Sequence, residues 1–163
     1  GFRMTYALRR QIKRSVDNLS ETSPSRMTEE LFKILGSGHA AGMFEEFYRL
    51  GMAKYVLPAL EALSKDKAHR GFDRKFLESM RNLDRLVNDE EESRRYVHLA
   101  HATADFLFTI SEYGSLDHIP FKEAFADIKR FLRPLVPPNR DVERALVYLI
   151  RRRKRYVKGG ALA

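Results

Sequence analysis

The stretch "RDVERALVYLIRRRKRYVK", residues 140–158, decides how this chain folds. At about 100° per residue, Val142, Leu146, Leu149, Ile150, Tyr156 and Val157 gather within roughly a third of the circumference. Arg140, Arg144, Arg151, Arg155 and Lys158 fall on a narrow ridge opposite, and Tyr148 lies beside it. Arg152 belongs to the same basic run. Arg153 points with the apolar face, so it must snorkel or pair. The pattern therefore predicts a long amphipathic helix with one face in a core and the other strongly cationic. Arg151 to Arg155 are five consecutive cations that repel one another, which calls for an acidic partner outside the helix.

Upstream, the same periodicity recurs and strand-like alternation of useful length is missing. Met4, Leu8, Ile12 and Val16 make a narrow stripe flanked by Arg9, Arg10, Lys13 and Arg14. Ser23-Pro24 reads as a helix start, with the hydroxyl at N-cap and proline at N1. Met27, Leu31, Ile34 and Leu35 form the next apolar face, which Gly36 can end in the left-handed conformation. Met43, Phe44, Phe47 and Leu50 follow, closed by Gly51, and Pro58 interrupts a short helix beyond. "SKDKAHRG", residues 64–71, is the best internal linker. Residues 72–87 are helical, and "NDEEES" is expected to cap a long helix over about 90–113 that is buried on much of its circumference. Residues 121–132 are helical, three prolines then break the chain, and Asn139 or Asp141 opens the last helix. Many helices joined by short loops predict an all-α, irregular multi-helix bundle. The organisation expected is 1–63, a linker at 64–71, and 72–163, or one continuous domain.

The chain has 163 residues and a formal net charge of +8. Its distribution matters more than its sum. The first 18 residues carry five Lys/Arg against Asp17, residues 140–158 carry eight against Asp141 and Glu143, and the rest is slightly acidic. Cations at both ends suggest one binding surface if the ends meet. A ridge of guanidinium groups suits phosphate oxygens, with counterion release supplying affinity, and Tyr148 suits a stacked base. A membrane-surface helix is disfavoured, because Trp is absent and no apolar face is left for lipid. No apolar run approaches the about 20 residues of a membrane span. Without cysteine, disulfides and thiolate metal sites are excluded. The plain reading is a cytoplasmic protein, and Gly1 without a preceding Met reads as the start of an excised piece.

Candidate chemistry is sparse. His98, His101 and Asp105 share a helix face at i, i+3 and i+7, so a metal site is conceivable. The plainer reading is ordinary polar residues on a half-buried helix, and no metal ligand is assigned. Ser115, Asp117 and His118 are too generic for a triad. "GSGHAAG" has three glycines but lies between helices rather than after a strand. No catalytic residue is assigned.

One segment goes further. "SPSRMTEELFKILGSGHAAGMFEEFYRLGMAKYVLPAL", residues 23–60, resembles the region after the catalytic core in bacterial poly(A) polymerases, class II RNA nucleotidyltransferases related to the CCA-adding enzymes. Ser25, Arg26, Met27, Glu29, Glu30, Leu31, Lys33, Ile34 and Leu35 fit the family pattern. "SGHA" and "LGMAKYVLPAL" resemble the poly(A) polymerase branch, and "VPPNRDVERALVYLIRRRKR" its arginine-rich C-terminal region. The resemblance implies an all-α neck and body that binds RNA 3′ ends, in a parent enzyme whose catalytic head uses Mg2+ and ATP. The head's Gly-Ser motif and paired aspartates do not occur here, so no catalytic or ATP-binding residue is carried over. Arg26 with Glu29 or Glu30 is expected as an intrahelical ion pair. The expected RNA-binding set is Arg9, Arg10, Lys13, Arg14, Arg140, Arg144, Tyr148, Arg151, Arg152, Arg155 and Lys158. The rival readings are the body of a tRNA CCA-adding enzyme, a helical protein-interaction module, and a small metal-dependent helical enzyme.

Overall fold

In the computed structural model the described residues are 5–15, 18, 21–92 and 94–162. Every regular element among them is helical. Helices α1 (Tyr6–Ser15), α2 (Pro24–Leu35), α3 (Ala40–Leu50), α4 (Ala53–Val56) and α5 (Pro58–Lys65) form the first half. Helices α6 (Phe72–Asn88), α7 (Arg95–Asp105), α8 (Phe121–Phe131) and α9 (Asn139–Gly159) form the second. The stripe expected on Met4, Leu8, Ile12 and Val16 lies outside what is described, as do the side chains of Arg9 and Lys13.

The local signals explain most boundaries. Ser23 accepts a hydrogen bond from the Arg26 amide with Pro24 in the first turn of α2. Pro58 opens α5 directly after α4 ends. Residues 64–71 finish α5 and make one 3-10 turn, capped by Asp66 on the Ala68 amide at 2.9 Å. Gly51 ends α3 with φ +72°. Gly36 differs from expectation, ending α2 at φ −88°. What glycine provides there is closeness, because a Cβ would stand 3.2 Å from Cε1 of His98. The left-handed residue of this loop is Gly38, at φ +73°.

The helix expected over 90–113 is also corrected at both ends. It starts at Arg95, since Glu90 takes a positive φ of 56° and turns the chain after α6. The acidic run therefore precedes the first turn instead of occupying it, and Glu92 folds back onto Arg94. Beyond Asp105 the helix widens into a π turn over Phe106–Ile110, where Thr109 Oγ1 donates to the Asp105 carbonyl.

Helix α7 is the axis of the bundle. Every residue from Val97 to Asp105 is buried, and three alanines let neighbours approach closely. Helices α6, α9 and α2 pack around it, α3 packs on α6, and α8 on α9. One hydrophobic core runs from Met27 to Leu162. Phe44 stacks edge-on to Phe76 at 4.9 Å between α3 and α6, and Phe106 lies parallel to Phe131 at 4.4 Å.

Candidate nucleic-acid interface

The rotation of α9 sets which cations face water. Val142, Ala145, Leu146, Leu149 and Tyr156 are buried against α7 and α8. Near its C-terminal end, Tyr156 donates its hydroxyl to Asp105 Oδ1 at 2.5 Å, while Ser79 Oγ donates to Oδ2 at 2.7 Å. Burial pushes the Asp105 carboxyl above its ordinary range, and the hydroxyls of Tyr156 and Ser79 pull it back. Burial likewise pushes Tyr156 up, with the facing carboxylate adding to the rise. This buried network ties α6, α7 and α9 together and fixes the opposite face outward. Val157, expected in the core, is 58% exposed, because Tyr156 takes the core-facing position and the next residue lies about 100° further round the helix.

On that outer face Arg140, Arg144, Arg151, Lys154, Arg155 and Lys158 are exposed. Among the described residues none of them forms an ion pair, in contrast to Arg94, Arg95 and Arg130 elsewhere. Arg152 is half-buried, its guanidinium 3.5 Å over the ring of Tyr148. Tyr148 in turn meets Tyr96 edge-on at 6.3 Å. One face of Tyr148 is thus occupied by its own helix neighbour, and burial pushes its hydroxyl up. Arg153 snorkels into a cleft with Phe121, Arg151 and Lys154.

The start of α7, the start of α8 and the outer face of α9 enclose an open groove of about 650 Å³. Arg94, Arg144, Arg151 and Arg152 line it with Tyr96, Tyr148 and Phe121, against the single carboxylate of Glu143. Arg94 donates to the Tyr96 hydroxyl at 2.7 Å and is also held by Glu92, whose carboxyl it keeps below the ordinary range. Arg94, Tyr96 and Phe121 had no signal as site residues in the sequence. Each lies at a loop–helix junction, where one-helix periodicity says nothing about the neighbour it meets.

The cations of α1 stand apart from these. Arg10 and Arg14 are exposed, but α1 packs on α3 whereas α9 packs on α7 and α8. The two basic helices are not among the principal packing pairs. The pair expected between Arg26 and Glu29 or Glu30 is replaced. Glu30 bonds Lys33 at 2.8 Å, one turn along, and Glu29 reaches across to Arg95 at 2.7 Å. Arg26 is exposed and exerts only a weak pull on Glu30.

The other candidates resolve structurally. His98, His101 and Asp105 are buried rather than half-buried, and both Asp105 oxygens already accept hydrogen bonds. The glycine-containing loop before α3 offers no anion site, because Asp84 caps the Ala40 and Ala41 amides at 2.7 and 3.0 Å.

Residues 1–64 match a family model described as "Probable RNA and SrmB- binding site of polymerase A". This part of the chain, which runs from α1 nearly to the end of α5, is similar to the RNA-binding region of polymerase A. No curated protein and no solved structure matches the chain. The α7–α8–α9 groove lies outside the matched residues. No helix among the described residues is long and apolar enough to cross a membrane.

Proposed function

We propose that this chain is the RNA-binding helical region of a bacterial poly(A) polymerase-like nucleotidyltransferase, acting in the cytoplasm. The observation that carries the reading is the match of residues 1–64 to the RNA-binding region of polymerase A. The unpaired cations along α9 support it. In this reading residues 1–63 are the neck-like helices and 72–163 the body. A catalytic head in the same parent chain adds nucleotides to the RNA 3′ end. ATP and Mg2+ belong to that head, and no residue here is assigned to them. The helical region is non-catalytic by itself and holds the strand. Guanidinium groups on a rigid helix contact phosphates without reading base edges, which suits an enzyme that extends many different ends.

The test is fluorescence anisotropy with labelled oligo(A), a mixed-sequence RNA and a tRNA across a salt series. Binding should weaken steeply with salt, and Arg151→Glu with Arg155→Glu should lower the affinity and flatten the log–log slope by about 1 to 2. Absence of binding even at low salt refutes the reading, and a marked tRNA preference would favour a CCA-adding body.

The same family description also names a protein, SrmB, as bound by that region of polymerase A. This favours, as a second reading, a helical protein-interaction module. RNA affinity unchanged by the charge reversals would support it.

A further inference from the structure

Phe121 is the first residue of α8 and is 40% exposed, while Ala124 and Ile128 on the same helix are buried. Among the described residues no other ring and no cation stacks on it, unlike Tyr96 and Tyr148. A solitary exposed apolar residue is ordinary on a protein surface. This one is not placed ordinarily. It stands where two clefts meet, and Arg151 lines both clefts with it. Arg144 and the 38% exposed Val147 line one side, and Arg153 and Lys154 the other.

The chemistry of this spot is a partly exposed apolar ring set among cations that outnumber the two carboxylates lining the clefts, Asp117 and Glu143, and that form no ion pair with them among the described residues. A bare polyanion would use the cations and leave the ring unexplained. A lipid surface would need a broader apolar face than one ring and one valine. Duplex RNA presents phosphates but keeps its bases stacked inside, so it cannot cover the ring. An unpaired nucleotide offers both parts at once, a base with a π-face and a phosphate a few ångströms away. We propose that the α7–α8–α9 groove takes an unpaired nucleotide, with its base stacked on Phe121 and its phosphate on Arg151 and Arg144. The region then selects single-stranded over duplex RNA. This rests on the RNA-binding reading and adds a subsite and a strand preference to it.

The experiment compares Phe121→Ala and Phe121→Leu with the unaltered chain. The probes are labelled single-stranded oligo(A) and a blunt RNA duplex of the same length, read by anisotropy. An oligo(A) carrying one 2-aminopurine reports stacking by fluorescence quenching. The unaltered chain should prefer the single strand and quench the 2-aminopurine. Both variants should lose about 5- to 100-fold in single-strand affinity, together with the quenching, while duplex affinity shifts less than about twofold. Phe121→Leu keeps the apolar packing and removes only the π-face, so its loss cannot be ascribed to misfolding. Phe121→Trp should restore binding. Equal losses on both probes, or none, with salt-dependent RNA binding intact would overturn the subsite and leave the RNA reading standing. If the unaltered chain binds neither probe at low salt, both fall.

Discussion

His101 offers the sharpest test of how the core is built. It sits in the middle of α7 with no exposed surface. Burial pushes the imidazole down to about 4 from its ordinary 6.5. Repulsion from His98 and Arg152 adds to the fall, while the backbone of Ser79 and the Glu92 carboxylate oppose it. The ring is therefore buried neutral and must stay neutral for the fold to persist. The unfolded chain takes up a proton below about pH 6.5, whereas the folded chain resists until about pH 4. Stability contributed by the neutral ring is whole above the unfolded value and is lost as pH falls through that window. Between about pH 7 and about pH 4.5 the loss should be about 2 kcal/mol. Asp105 acts in the opposite sense at the acid end, because its raised carboxyl favours the protonated fold.

A comparison at constant Asp105 removes that complication. His101→Leu is close in size, carries no proton and removes the buried imidazole. Urea unfolding followed by circular dichroism at the two pH values gives the difference directly. The unaltered protein should lose about 2 kcal/mol more on acidification than the variant. Equal losses would mean that the imidazole is hydrated or already protonated at neutral pH, and the account of α7 as a dry axis would be wrong.

Tyr156→Phe should destabilise the protein by about 1 to 3 kcal/mol in chemical denaturation, because Asp105 Oδ1 keeps its burial and loses its donor. Gly38→Ala should cost on the order of 2 kcal/mol, since its Cβ would stand 2.1 Å from Asn88 Oδ1 at φ +73°. Asn88 cannot swing away without losing its 3.0 Å bond to the Gly38 carbonyl. Gly42→Ala, in α3 with nothing within 4 Å of the new methyl, should stabilise by about 0.5 to 1 kcal/mol in the same assay. Asp84→Ala uncaps two amides of α3 and should lower stability by about 0.5 to 2 kcal/mol, read as a fall in the urea midpoint.

What the sequence determined by itself was whatever one helix decides alone. Ser23-Pro24 starts α2, Pro58 opens α5 and Gly51 ends α3 because caps and proline act within a turn or two of the backbone. The all-α architecture and the cationic outer face of α9 follow from a 3.6-residue period that needs no partner to be read. Tertiary structure decided what depends on meetings between helices. Gly36 yields to His98, Glu29 leaves its own helix for Arg95, and Asp105 receives Ser79 and Tyr156 from two other helices. The candidate groove belongs to the same class. Tyr96 and Phe121 lie 25 positions apart at the starts of two helices, and only the packing of α7 and α8 against α9 sets them beside its arginines. Periodicity reports which face of a helix is apolar. It carries no information about which neighbour covers that face, and the chemistry of a groove is set by the neighbours.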